Sequence, residues 1–557
     1  MPFIFTGFLA LTALAITLPI IRFIISTLRP RNYPPGPRPI IGLGNLHQLP
    51  PSRSFLTFSA WGASKYGPVI GLKIGATNLV VLNNARHVRQ LMQEQSAALS
   101  ARPRLPIPSK YIFPNDDNHP LWNDAEHHQR MRRALIHHTG PAGVADAAPI
   151  IRALTARLIH SLLVGEEFNR AFRVWSYDLA LAVLFGRTTS TATACEGKGK
   201  GEGERVGTCN AGLDEYIDTQ RRFVKLIEPG IAQLAGIFPV LDWLPERYAS
   251  WKRDASLVRV EVNTAWGMLV SSVKRELEMS DTKKGGESGG GAGGYESVVR
   301  RLYRENLTKA SETIFPDREI ELIAGATLDA TFGSMLSTAM FLVQALAASP
   351  SIQRQARAEV DEVWTREGIP GYIDVGRMPF ISACVTEVLR WRPPLPLGLP
   401  RMCLSDQVVD GYRIPAGSTI ATNVWAIQHD PEEYERPDEF NPERFIRNPN
   451  GTKHVANGNN DPAARRPLYI FGLGRRACPG DQLALVELRV MTAFLLWSFD
   501  IVAEEAVDCS PETGFSEGIT VAPKPFKVKF IPRCDGVKKA ILEEWDRGNQ
   551  FIVNHLH

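Results

Sequence analysis

Ten residues near the end of the chain constrain it more than any other stretch: Phe471-Gly472-Leu473-Gly474-Arg475-Arg476-Ala477-Cys478-Pro479-Gly480. Glycines on either side of one cysteine allow backbone conformations closed to other residues and let the main chain lie close against a flat ligand. Arg475, Arg476 and the start of a helix-like segment at 481–499 put positive potential beside the thiol, which favours the thiolate, the form that ligates a metal. Two other readings compete. A lone cysteine is most often an inert small hydrophobe. Gly472-x-Gly474-x-x-Ala477 also loosely fits a dinucleotide fingerprint, but no strand rich in Val or Ile feeds it and no ribose-binding acid follows at the right distance.

The rest of the chain is read as one large globular unit around this loop. Its 557 residues are 44% hydrophobic, 22% charged and 9% aromatic, which excludes a wholly disordered, collagenous or many-span membrane protein. The 63 Lys plus Arg against 59 Asp plus Glu leave a net +4 without a long basic block, so no nucleic-acid partner is expected. Cys195, Cys209, Cys384, Cys403, Cys478, Cys509 and Cys534 are odd in number and scattered, which argues for a reducing compartment rather than a disulfide framework. Strand-like stretches at Val69–Ile74, 79–82 and within 407–422 interrupt predominantly helical patterns, so the expected fold is mainly α with small β-sheets (α+β). Segments 186–212 and 281–294, rich in Gly, Ser, Thr and Lys, read as exposed low-complexity loops. No repeat of the solenoid or propeller kind is visible.

The amino-terminal end suggests a membrane. Residues 3–21 are nineteen residues without a charge, which as a helix would span about 28 Å against a bilayer core of about 30 Å. The positive charges Arg22, Arg29 and Arg31 follow this run instead of preceding it, which favours a retained anchor over a cleaved signal and keeps the body on the cytosolic side. Four prolines within residues 34–39 then read as a stiff hinge. The expected organisation is an anchor at 1–31, a proline-rich hinge and the start of the body at 32–50, a catalytic domain at 51–535 and a C-terminal extension at 536–557.

The ten-residue loop matches the pattern Phe-x-x-Gly-x-Arg-x-Cys-x-Gly at Phe471, Gly474, Arg476, Cys478 and Gly480, and in it the chain resembles the cytochrome P-450 family of haem-thiolate monooxygenases. The likeness runs from the anchor to about residue 530 and looks like membrane-anchored members from filamentous fungi. It implies haem b with Cys478 as axial iron ligand, a thiolate that favours cleavage of bound dioxygen, and a loop whose Phe471, Gly472, Gly474 and Gly480 line the cofactor. It also implies that Glu387, Arg390 and Arg444 form a buried structural network, and that Arg132, Arg401 and Arg476 bind the haem propionates in forked geometry. His128 stands where the family often has Trp, so either His128 donates to a propionate or the register differs. On the distal helix, expected from about 318 to 348, the family's proton relay maps imperfectly onto Asp329 with Thr331; the spacing to Pro350 allows a shift toward Gly333-Ser334.

By the same resemblance, the pocket walls are 103–122, 223–244, 326–331, 393–399 and the turn around Phe515, and the substrate is a lipophilic small molecule. Electrons would come from NADPH through a separate cytochrome P-450 reductase on the endoplasmic reticulum membrane, docking on Arg130, Arg133, Arg465, Arg466 and Arg475. The implied activity is monooxygenation in secondary-metabolite biosynthesis. The alternatives are a same-fold enzyme that rearranges or dehydrates its substrate without a reductase, and a non-catalytic membrane haem carrier or sensor.

Overall fold

The computed structural model describes residues 17–19, 21–116, 118–192, 211–227, 231–283, 295–308, 315–364, 376–453 and 468–556. Most of the amino-terminal apolar run, most of the loops at 186–212 and 281–294, and Arg465 and Arg466 therefore lie outside the described residues.

Near the front, β1 (Val69–Ile74) and β2 (Thr77–Leu82) form a hairpin in which Ile74 pairs with Thr77. The two-residue connection starts at Gly75, whose φ of +56° is what so tight a turn requires. Helices then dominate: α1 (Ala125–Thr139), α2 (Pro141–Leu163), α3 (Phe168–Phe185), α4 (Ala211–Ile227), α5 (Ser250–Lys283), α6 (Asp317–Ala348), α7 (Pro350–Val363) and α8 (Pro379–Trp391). Short strands β3 (Arg401–Met402), β4 (Gln407–Val409), β5 (Tyr412–Ile414) and β6 (Thr419–Thr422) follow. After the cysteine loop come α9 (Asp481–Ser498), β7 (Phe499–Ala503), β8 (Val528–Pro532) and α10 (Asp535–His555). One sheet has the order β1-β2-β6-β3, with β2 and β6 parallel; β4-β5 and β7-β8 are separate two-stranded sheets.

The main core lies among α2, α3, α6, α8 and α9, where Phe172, Trp175, Phe341 and Phe494 are buried. The central element is α6. Asp317 and Glu319 sit in its first turn, where negative charge suits the helix dipole, and Pro350 ends it by disfavouring helical geometry at Ser349. At 32 residues it is, among the described residues, the helix long and apolar enough to cross a membrane, yet it is largely buried as core. At the amino-terminal end the described apolar helix is short, Thr17–Ser26.

The proline-rich stretch does not stand free. Gly71 N donates to Pro35 O at 2.8 Å, Arg29 Nη2 reaches Gly71 O at 2.9 Å, and the Tyr33 hydroxyl donates to Leu79 O at 3.0 Å, which fixes the segment along β1. At the other end, α10 lies on α2. Ile541, Glu544, Gly548 and Ile552 face inward; Glu544 pairs with Arg152, and Trp545 stacks on His160 with ring centroids 4.3 Å apart.

Candidate cofactor site

The cysteine loop is built by its own backbone and fastened by arginines. Cys478 N donates to Phe471 O at 2.7 Å, which closes the loop. Gly474 takes φ +65°, and a Cβ there would overlap the Met92 carbonyl, so only glycine lets the loop seat on the turn at 90–94. From the loop, Arg476 Nε donates to Ser100 O at 2.7 Å and Nη1 to Asn123 Oδ1 at 2.6 Å. From α1, Arg132 donates to the Ala477 carbonyl and Thr139 Oγ1 to the Pro479 carbonyl at 2.7 Å. Gly480 then leads directly into α9.

Around this loop, cations outnumber anions, Asp124 being the carboxylate that acts on Arg476. Arg401 donates through Nη2 to Leu473 O at 2.8 Å, while its buried Nη1 has no partner. Burial and the positive charge of Arg476 push the Arg401 pKa down to about 10. Arg102, which nothing in the sequence singled out, is pushed down to about 9 by burial and by Arg401 and Arg476. His128 is buried, and its ring nitrogens make no hydrogen bond of ordinary geometry, although the Arg475 main chain approaches. Burial, followed by Arg476, Arg102 and Arg132, pushes it down to about 3, so it is neutral at physiological pH. Guanidiniums that depress one another beside an unsatisfied Nη1 are suited to an anionic ligand. These residues fit the two propionates of haem, with Cys478 in the adjoining loop as the soft metal ligand.

Glu387, Arg390 and Arg444 meet in one buried network behind the loop. Arg390 contacts Glu387 through Nε and Nη2 at 2.7 and 2.8 Å, Arg444 Nε reaches Glu387 Oε1 at 3.1 Å, and Arg390 Nη1 donates to Gln428 O and Pro437 O. Glu387 and Arg390 are completely buried, and the surrounding carbonyls satisfy the donors that the ion pair leaves over.

On α6, Ala326, Thr327, Ala330, Gly333 and Ser334 form an accessible stripe along a helix that is otherwise mostly buried. A Cβ at Gly333 would meet nothing within 4 Å. The Ser334 hydroxyl lies on this stripe and donates to Ala330 O at 2.7 Å. Asp329 and Thr331 are not brought together. Two residues apart on a continuous helix, they point about 200° apart and occupy opposite flanks of the stripe. Asp329 instead accepts hydrogen bonds from Tyr216 and from Gln220 Nε2, the latter at 2.8 Å. Burial pushes its carboxyl up to about 7, against the opposing pull of those two donors.

On the turn assigned to the pocket wall, Phe515 itself is fully buried between Phe341 and Trp425, with ring centroids 5.1 and 5.9 Å away. Arg130, assigned to a docking face, bonds Glu319 Oε2 at 2.6 Å, whereas Arg133 and Arg475 are exposed.

Fold and loop together define a helical protein whose cysteine loop lies among arginines, an arrangement suited to a flat, anionic, metal-bearing ligand. The chain belongs to the cytochrome P450 family, whose sequence model matches residues 34–530, and to the monooxygenases of that family. It is 32% identical over 540 residues to cytochrome P450 monooxygenase grgG of a Penicillium species, covering 94% of this chain and 92% of that protein. It is 27% identical to cytochrome P450 monooxygenase macC of Penicillium terrestre, covering 98% of each. A zebra fish cytochrome P450 solved with abiraterone shares the fold at a TM-score of 0.64 and 19% identity, over 86% of this chain and 100% of that one.

Proposed function

We propose that this chain is a membrane-anchored haem-thiolate monooxygenase that oxidises a lipophilic small molecule in fungal secondary metabolism, with NADPH electrons delivered by a separate reductase at the endoplasmic reticulum membrane. The observation that carries the reading is the group Arg102, Arg401, Arg476 and His128 beside the Cys478 loop, with Arg401 Nη1 unsatisfied. Haem, when bound, supplies the dioxygen chemistry, and the protein supplies ligand, orientation and proton path. Cys478 would ligate the iron. Arg102, Arg132, Arg401 and Arg476 orient the propionates, and neutral His128 offers one N–H. The accessible stripe of α6 would line the reacting face, and its Ser334 hydroxyl is the proton-passing group when the family's pattern is shifted toward Gly333-Ser334. This assigns the relay one turn beyond Asp329 and Thr331.

Fungal relatives that match nearly full length support the metabolic setting, and the exposed aliphatic side chains of Leu18, Ile21, Ile25 and Leu28 support a membrane face at the amino-terminal helix. The test is ferrous carbon-monoxide difference spectroscopy on purified protein, before and after Cys478→Ser. A thiolate-type band in the parent that is lost in the variant is expected; an unchanged spectrum would overturn the ligand. Turnover that proceeds equally without NADPH and reductase would replace monooxygenation by a rearrangement or dehydration.

A further inference from the structure

The carboxyl of Asp329 is used on one side only. Tyr216 and Gln220, both on α4, donate to Oδ1, the amide at 2.8 Å. Oδ2 receives no hydrogen bond from the described residues, and it is not among the sealed, partnerless polar atoms of the interior. Asp329 keeps partial accessibility although it sits where α3, α4, α5 and α6 meet, with Tyr177, Tyr216 and Trp266 around it. The residue therefore keeps one accessible edge. Helical spacing tells where it lies. The neighbours of Asp329 at −3 and +4 are Ala326 and Gly333, both on the accessible stripe, and neither carries more than a methyl group to cover the carboxyl. No Lys or Arg among the described residues contributes to its electrostatics, and burial dominates. A carboxyl oxygen in an apolar enclosure without a donor is costly to leave unpaired.

We propose that Asp329 Oδ2 is the polar anchor for the substrate, accepting a hydrogen bond from a hydroxyl or N–H group on an otherwise lipophilic molecule. Tyr216 and Gln220 hold Oδ1 so that Oδ2 faces the stripe. The substrate class is then a lipophile with one donor-bearing end, and the anchor sets which end lies away from the cysteine loop. This deepens the proposed function and rests on its reading of the stripe as the substrate cavity.

The experiment uses full-length protein loaded with haem and measures equilibrium dialysis of 1-decanol, its methyl ether and decyltrimethylammonium at submicellar concentration. The parent should bind the alcohol about tenfold more tightly than the ether, the difference that one hydrogen bond to a carboxyl makes. Asp329→Asn, nearly isosteric, keeps an acceptor for Tyr216 but replaces Oδ2 with an amide, and should bring the ratio to about one. Tyr216→Phe with Gln220→Leu, which frees Oδ1, should lower the ratio without abolishing it, and serves if the asparagine variant does not fold. Equal binding of alcohol and ether by the parent, or no binding of either, overturns the anchor. A parent preference for the trimethylammonium over the alcohol also overturns it, because that ligand offers charge and no donor. Failure of the function reading registers separately, as absence of the carbon-monoxide band, and the dialysis does not depend on that absorbance.

Discussion

Glu387 is the residue on which the interior is most exposed to damage. It faces two guanidiniums at full burial, so Glu387→Gln leaves both without a counter-charge. We expect a loss of about 3–5 kcal/mol, read as a lower denaturant midpoint and a collapse in haem-loaded yield. Arg401 tests the propionate site together with its own bond to Leu473 O in the cysteine loop. Arg401→Leu removes one charge-assisted donor set worth about 1.5–3 kcal/mol, so haem should pass to an apoprotein acceptor roughly ten- to a hundredfold faster. His128 carries a pH signature. Its folded pKa of about 3 lies below the ordinary value of 6.5, so the unfolded chain binds a proton that the folded one refuses. Stability of the haem-free protein should fall as pH drops from 6.5 toward 3, and His128→Gln should flatten its share, up to about 1.4 kcal/mol per pH unit. Chemical denaturation across that window decides it.

At the scale of elements, what could be read from the sequence was what is local. The cysteine loop was legible because its glycines and arginine act within ten residues of Cys478, and the Glu387–Arg390 pair because three-residue spacing shares a helix face. Arg102 was not legible, since a lone arginine ahead of α1 has no periodicity to mark it and gains meaning only when Arg401 and Arg476 arrive beside it. The contacts of Asp329 were not legible, because Tyr216 and Gln220, which donate to it, lie on α4, 113 and 109 positions away in sequence. Two elements invite direct tests. Gly474→Ala meets both a left-handed φ of +65° and the Met92 carbonyl, so haem incorporation should fall sharply at equal expression. Ending the chain after Cys534 removes α10 with its buried Ile541, Ile552 and Leu556; a stability loss on the order of 3 kcal/mol is expected in guanidinium denaturation.

Over the whole molecule, Arg133 on α1 and Arg475 in the cysteine loop are exposed and belong to the face proposed for the reductase. Reversing both to Glu should slow electron delivery and weaken its dependence on salt, while haem content and substrate binding stay unchanged; a rate that ignores both charge and salt would remove this face from the partner's footprint. The parallel pairing of β2 with β6 joins Leu79 to Thr419, and the loop at 471–480 closes on the turn at 90–94. During translation, the early strands must therefore wait with an open edge while several hundred further residues are made. Pigment capture becomes a late event on the ribosome's clock, and the nascent hairpin is the stretch on which chaperones should be found.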